Sequence, residues 1–300
     1  MTKTTIALAS ALSITACSTK KTIDLQGHRG CRGIQPENTM PAFEKALEIG
    51  VTTLEMDVVI TKDHEVIVSH EPYFSHEIST DPSGNLITEE NEKEHNLYQL
   101  SYEEIKQYDV GLRPHARFPQ QAKVPATKPL MKEVIEMAEN YAVIHSRKKP
   151  FYNIEIKREP ALDSVFQPPV ETFVDLVLSE VQHQAFSGRV CLQSFDLETL
   201  RLVHEKAPEI TLALLIETET DVQQNIEELG FTPTIYSPYF ALIDQQTMDY
   251  CNEHSIRVIP WTVNKKDDLL RMLEFGVDGI ITDYPNEFKV ILEEKEIEIR

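Results

Sequence analysis

TTLEMDVVITKDHEVIVSH, residues 52–70, decides how the chain folds. Its first ten residues, TTLEMDVVIT, read as a strand enriched in β-branched residues. A polar turn follows at Lys62-Asp63-His64, and then a second apolar run, EVIVSH. That second run reads as the returning arm of a hairpin. With it set aside, eight strands remain: TIDLQG, TTLEMDVVIT, FYNIEIK, RVCLQSF, TLALLIE, TIYSPY, RVIPWTV and GIITDYP. Helical patterns alternate with them: MPAFEKALEIG, FVDLVLSEVQHQAF, LETLRLVHEKA, DVQQNIEEL, DQQTMDYCNEH, KKDDLLRMLEFG and EFKVILEEKE. Such β–α alternation argues for a parallel sheet in an α/β protein. Eight units in about 275 residues fit a closed (β/α)8 TIM barrel. A doubly wound open sheet is the competing arrangement. Residues 71–127 break the rhythm, being rich in Pro, His, Tyr and charge. The expectation is a barrel over residues 23–300 with an inserted subdomain after the second strand. That insertion would lid the catalytic face and carry one short helix near SYEEIKQYD.

The chain has 300 residues, 41% of them apolar, and a net charge of −20. It can bury a sizeable core. So acidic a surface makes nucleic acid an unsuitable partner, because phosphate binding needs a basic face. After the N-terminus no apolar run is long enough to span a membrane. The N-terminus itself, MTKTTIALASALSITAC, has Lys3, a short apolar run and Ile14-Thr15-Ala16-Cys17. This resembles a bacterial lipoprotein signal, making residues 1–22 a signal peptide and tether. The resemblance implies export and lipidation at Cys17, with the lipid as the only membrane contact. Ser18 after the cysteine implies outer-membrane sorting in a Gram-negative bacterium. The alternative is an uncleaved tail. Cys31, Cys191 and Cys251 lie far apart without a CxxC pair, so they read as isolated buried thiols rather than a zinc site.

In a barrel the C-terminal ends of the strands share one face. Unusual polar residues collect there: His28 and Arg29, His70 on the hairpin arm, Gln193 and Ser194, Trp261 and Asn264, and Asp283. Glu55 and Asp57 are two apart on one strand and so point to the same side. Glu155 and Lys157 repeat that spacing. Three carboxylates in one cavity repel each other, and a hard divalent cation relieves this. Oxygen donors alone point to one Ca2+ or Mg2+. Histidines and cations beside such a metal point to an anionic small-molecule substrate, with phosphate the obvious candidate. His64, His76, His95, His115, His145, His183, His204 and His254 read as structural.

GHRG and PENT at residues 27–39, with the acidic pair and His70 beyond them, resemble the glycerophosphodiester phosphodiesterase family. IEIK, QSF, WTVN and TDYP continue the pattern in the same order. The resemblance is dense over residues 27–70 and sparse over 151–286. It implies a (β/α)8 barrel that hydrolyses glycerophosphodiesters to an alcohol and sn-glycerol 3-phosphate with a divalent metal. It implies His28 and His70 as the acid/base pair, and Glu55, Asp57 and Glu155 as metal ligands. Arg29 and Lys157 would contact phosphate, Glu37 and Asn38 would organise the site mouth, and Trp261 would line the glycerol side. The glycines of GHRG would let the backbone approach closely beside His28 and Arg29.

One departure stands out. Where the family has His-Asp, this chain has His70-Glu71 followed by Pro72. The longer carboxylate bears on how His70 is oriented and on which substrate fits. A phosphodiesterase for larger lipid head groups, such as a lysophospholipase D or a phosphoinositide phospholipase, is therefore an alternative. A non-catalytic lipoprotein that binds glycerophosphodiesters is another. A two-carboxylate glycosidase fits poorly beside so many cations.

Overall fold

The computed structural model describes residues 21–183, 187–218 and 221–300. The expected signal sequence, the lipidation site Cys17 and most of the tether lie outside the described residues, as does the side chain of His183. The elements in chain order are β1 (Thr22–Gly27), α1 (Met40–Ile49), β2 (Thr53–Ile60), β3 (Val66–Val68), α2 (Tyr102–Ile105), α3 (Met131–Ile144), β4 (Phe151–Ile156), α4 (Val170–His183), β5 (Val190–Ser194), α5 (Leu197–Lys206), β6 (Thr211–Ile216), α6 (Val222–Leu229), β7 (Ile235–Pro238), α7 (Gln245–Glu253), β8 (Arg257–Val258), α8 (Lys266–Phe275), β9 (Gly279–Thr282), α9 (Pro285–Glu294) and β10 (Glu298–Ile299).

Strands β1, β2, β4, β5, β6, β7 and β8 pair in parallel in that order, and β9 returns to pair with β1. This is the (β/α)8 barrel, and β3 is the antiparallel return arm on β2, in register Val59↔Ile67. The seam between β8 and β9 is looser. Pro260 has no amide hydrogen to donate across it, although bonding to β7 continues beyond Val258 through the Ile259 and Trp261 amides (3.1 and 3.2 Å). Single bonds close the gap, from Asp278 N to Val258 O (2.9 Å) and from Ile281 N to Pro260 O (3.0 Å). Helix α3 was not among the expected helices. Its entry residue is Leu130, and no polar side chain marks its start; Glu133 reaches back to the Leu130 amide instead (3.2 Å).

Alternation along the strands sends one set of side chains to the helices and the other into the lumen. The lumen is divided. Ala213, Ile235, Ile259 and Ile281 make one side apolar, with Trp261 packed on them. The side formed by β1, β2, β4 and β5 is polar, and its amides link up: Asn153 donates to Gln26 Oε1 (2.9 Å) and to Gln193 Oε1 (3.0 Å).

Residues 72–126 form a compact insertion with only short helical turns. Phe74, Ile78, Ile87, Leu97, Ile105 and Val110 make a small core that packs on Val59 and Ile67 of the hairpin. The hairpin therefore serves as the insertion's floor.

The turn after β1 brings the chain against itself. A Cβ on Gly27 would sit 2.0 Å from the Gly30 carbonyl oxygen, and one on Gly30, whose φ is +85°, would sit 2.7 Å from the Ala42 backbone. Gly30→Ala should therefore lower unfolding free energy by about 3 kcal/mol, combining overpacking with a left-handed backbone. A urea titration checks this, and an unchanged midpoint would contradict the close approach.

Candidate active site

The site stands where the strands end. Asp57 and Glu155 face each other across the β2–β4 ladder, and Glu55 lies two residues before Asp57 on the same side. One carboxylate oxygen from each lies within 4.8 Å of the others, and all three residues are buried. Glu55 is fixed on both oxygens, by Gln193 Nε2 (2.9 Å) and by the Arg29 amide (2.8 Å). Arg29 has φ +50°, an uncommon backbone state that aims its N–H at Glu55. Asp57 Oδ2 accepts from Asn38 (2.8 Å), whereas Asp57 Oδ1 is buried without a partner.

Burial, and then the Asp57 charge, raises the Glu55 carboxyl well above its ordinary range. Burial also raises Glu155, against the pull of Lys157. For Asp57 burial is outweighed by Arg29, His70 and Lys157, which hold it ionised. An orphaned, ionised oxygen beside two reluctant carboxylates fits an oxygen-only site for a hard cation.

The two histidines flank this cluster, and each is held by a carboxylate. His28 Nδ1 lies 2.6 Å from Asp283 Oδ1. Asp283 also takes Arg32 Nε (3.0 Å), Arg32 Nη2 (3.1 Å) and Asn264 Nδ2 (2.7 Å). With these donors on the carboxylate, His28 Nδ1 bears the hydrogen and Nε2 is left as the acceptor. His70 Nδ1 lies 2.6 Å from Glu71 Oε1, so the longer carboxylate still reaches the ring. Lys157 Nζ stands 3.1 Å from His70 Nε2 and 2.9 Å from Glu155 Oε1. Burial and then Arg32 lower the His28 pKa to about 4.

That depression has a sign. Between pH 6.5 and about 4 the unfolded chain binds a proton at His28 that the folded chain refuses. Stability from this group is thus complete above pH 6.5 and lost as pH falls towards 4. Urea titrations of wild type and His28→Gln over this range should show the shallower pH slope in the variant. Equal slopes would mean that His28 is not held neutral.

Arg29 does not stand free. Its guanidinium bonds Glu37 (2.6 Å) and lies 3.3 Å from Asp57. Trp261 packs edge-on to Phe195 (5.5 Å) and donates to Ser237 O (2.9 Å), forming the apolar wall. A cavity of about 390 Å3 joins His28, Arg29, Glu55, His70, Lys157 and Trp261. A second, of about 580 Å3, opens beyond His70 and Phe195 towards Tyr73, Leu162 and Phe166. All the expected site residues from the barrel thus converge, except that Ser194 bonds back to Ile156 O (3.0 Å). Cys31 and Cys251 are buried free thiols and Cys191 is partly buried.

Two groups were missed by sequence reasoning. Arg32 was passed over, although it lies in the same GHRGCRG stretch as His28. Lys128 is fully buried, and its Nζ bonds Ser69 Oγ (2.7 Å) next to the His70–Glu71 pair. Burial lowers its pKa to about 8. A lysine followed by proline in KVPATKPL carried no signal for this.

The model of the glycerophosphoryl diester phosphodiesterase family matches residues 28–287. The chain belongs to that family. This phosphodiesterase is 31% identical over 272 residues to a glycerophosphodiester phosphodiesterase of Bacillus altitudinis, covering 89% of this chain and 97% of that one. A lysophospholipase D of Rattus norvegicus is 26% identical over 283 residues, covering 88% and 84%. The crystal structure of a glycerophosphoryl diester phosphodiesterase from Silicibacter pomeroyi superposes with a TM-score of 0.82 at 28% identity, covering 93% of this phosphodiesterase and 96% of that chain.

Proposed function

We propose that this phosphodiesterase splits glycerophosphodiesters into an alcohol and sn-glycerol 3-phosphate, with His28 as general base and His70 as general acid beside one divalent cation. The observation that carries the reading is the pairing of two carboxylate-held histidines around a buried three-carboxylate cluster in one cavity. Glu55, Asp57 and Glu155 would hold Ca2+ or Mg2+. When bound, the cation would neutralise phosphodiester oxygens and stabilise charge developing at phosphorus.

The chain's own groups do the rest. His28, kept neutral and oriented by Asp283, takes the proton from the attacking oxygen at Nε2. His70, oriented by Glu71, carries the proton for the departing alkoxide at Nε2 once the substrate phosphate draws away Lys157 Nζ, which donates to that nitrogen in the structure (3.1 Å). Arg29 and Lys157 place positive charge at the phosphate. Trp261 offers an apolar face to the glycerol carbons.

A second reading, action on larger lipid head groups, is favoured by Leu162, Phe166 and Phe195 within the otherwise charged lining of the cavity beyond His70 and by the related lysophospholipase D. Product analysis separates the two. Glycerophosphoethanolamine should be turned over at least tenfold faster than lysophosphatidylethanolamine. The reverse order would select the lipid reading.

Cys17, in its lipobox-like setting, supports attachment to a membrane as an exported lipoprotein. β1 begins at the barrel end opposite His28, so a tether entering there would not cross the cavity mouth.

A further inference from the structure

The insertion adds a cation to the catalytic cavity. Arg117 lines the cavity with both histidines. Other cations lining it are tied to buried carboxylates: Arg29 to Glu37 (2.6 Å), Arg32 to Asp283 (3.0 Å) and Lys157 to Glu155 (2.9 Å). Arg117 differs. Its ion pair is with Glu77 (3.2 Å), a residue of the insertion, and the side chains are 55% and 40% exposed. A pair so open to water is weak, so the guanidinium is easily reassigned to another anion.

Its backbone, by contrast, is fixed. The Arg117 amide donates to His115 Nδ1 (3.2 Å), and His115 is buried. That bond leaves the His115 hydrogen on Nε2, which lies 4.0 Å from Glu37 Oε2, too far for a hydrogen bond. Gln121 donates to the Arg32 carbonyl (2.7 Å), which docks the loop on the turn after β1. Phe118 serves both arginines: Arg32 lies 4.9 Å from its ring centroid and Arg117 5.7 Å. Arg117 is thereby held next to Arg32, whose partner Asp283 holds His28.

We propose that Arg117 contacts the substrate phosphate, so that the insertion supplies part of the phosphate-binding charge. This rests on the phosphodiesterase reading above. An ordered loop carrying a loosely paired guanidinium suits capture of a phosphodiester, and suits the phosphate monoester product more, since that carries more charge.

Arg117→Gln, Arg117→Lys and Glu77→Gln would be compared with wild type in the full chain, saturated with cation. Losing a charge-assisted contact should raise KM for glycerophosphocholine and Kd for sn-glycerol 3-phosphate by about tenfold or more. kcat should change far less, Arg117→Lys should recover part of the loss, and Glu77→Gln should keep wild-type KM or lower it. Unchanged KM and Kd in Arg117→Gln would overturn the proposal. So would a KM effect confined to diesters with an anionic alcohol such as serine, which would place the contact on the leaving group. Calorimetric binding of sn-glycerol 3-phosphate needs no turnover. An inactive wild type would therefore count against the reaction, while the binding difference would still decide the role of Arg117.

Discussion

Alanine at His28 or at His70 lowers turnover by about a thousandfold, the scale of losing positioned acid or base catalysis. Each histidine acts at a different atom of the same displacement, yet the double variant should lose little more than either single one. The fold should survive both changes. His28 and His70 sit at strand ends and bond one carboxylate each, so neither holds the apolar core. Rates measured at saturating substrate, together with near-ultraviolet circular dichroism, check this. Near-wild-type turnover in both variants would remove the histidines from the chemistry.

The acid/base roles of these two were readable through the family resemblance, and their meeting in one place through geometry. Strand ends in a parallel barrel meet at one face, so GHRG, the Glu55–Asp57 pair, His70 and IEIK could be placed together before any coordinates. The glycines that flank His28 and Arg29 are explained by the close approach of the turn to itself, where a Cβ on Gly27 would fall 2.0 Å from the Gly30 carbonyl oxygen. What connects distant stretches was harder to see. Asp283 was visible as a polar strand end, but its bond to His28 spans 255 positions and depends on β9 closing against β1. Arg117 and Lys128 come from, or just beyond, a segment without strand or helix periodicity. Its packing on Val59 and Ile67, with the bonds from Gln121 to the Arg32 carbonyl and from Lys128 to Ser69, determines where they land. Helix α3 escaped notice for a local reason, since Leu130 gives no capping signal ahead of it. Glu71, the departure from His-Asp that bore on how His70 is oriented, reaches the ring at 2.6 Å.

The second large effect concerns the carboxylate cluster. Asp57→Asn and Glu155→Gln should each abolish cation-dependent turnover and the response of stability to cation. In wild type, Ca2+ or Mg2+ at a hundred times its Kd should stabilise the fold by about 2.7 kcal/mol. For a domain of this size that is a rise of several degrees in Tm. The rise should grow between pH 5 and pH 8. Burial raises the Glu55 and Glu155 carboxyls, so protons compete with the cation for them more strongly than for ordinary carboxylates, and the more so the lower the pH. Differential scanning fluorimetry across that pH range reads this without substrate. A Tm response that persists in Asp57→Asn and Glu155→Gln would place the cation elsewhere.

The most direct test of the whole account uses wild-type protein stripped with chelator and supplied with glycerophosphocholine. Release of sn-glycerol 3-phosphate and choline would be followed before and after adding Ca2+ or Mg2+. The account predicts negligible release from the stripped protein and full release once one of the cations is restored. Undiminished release after stripping, or release of phosphocholine and glycerol in place of those products, would contradict it.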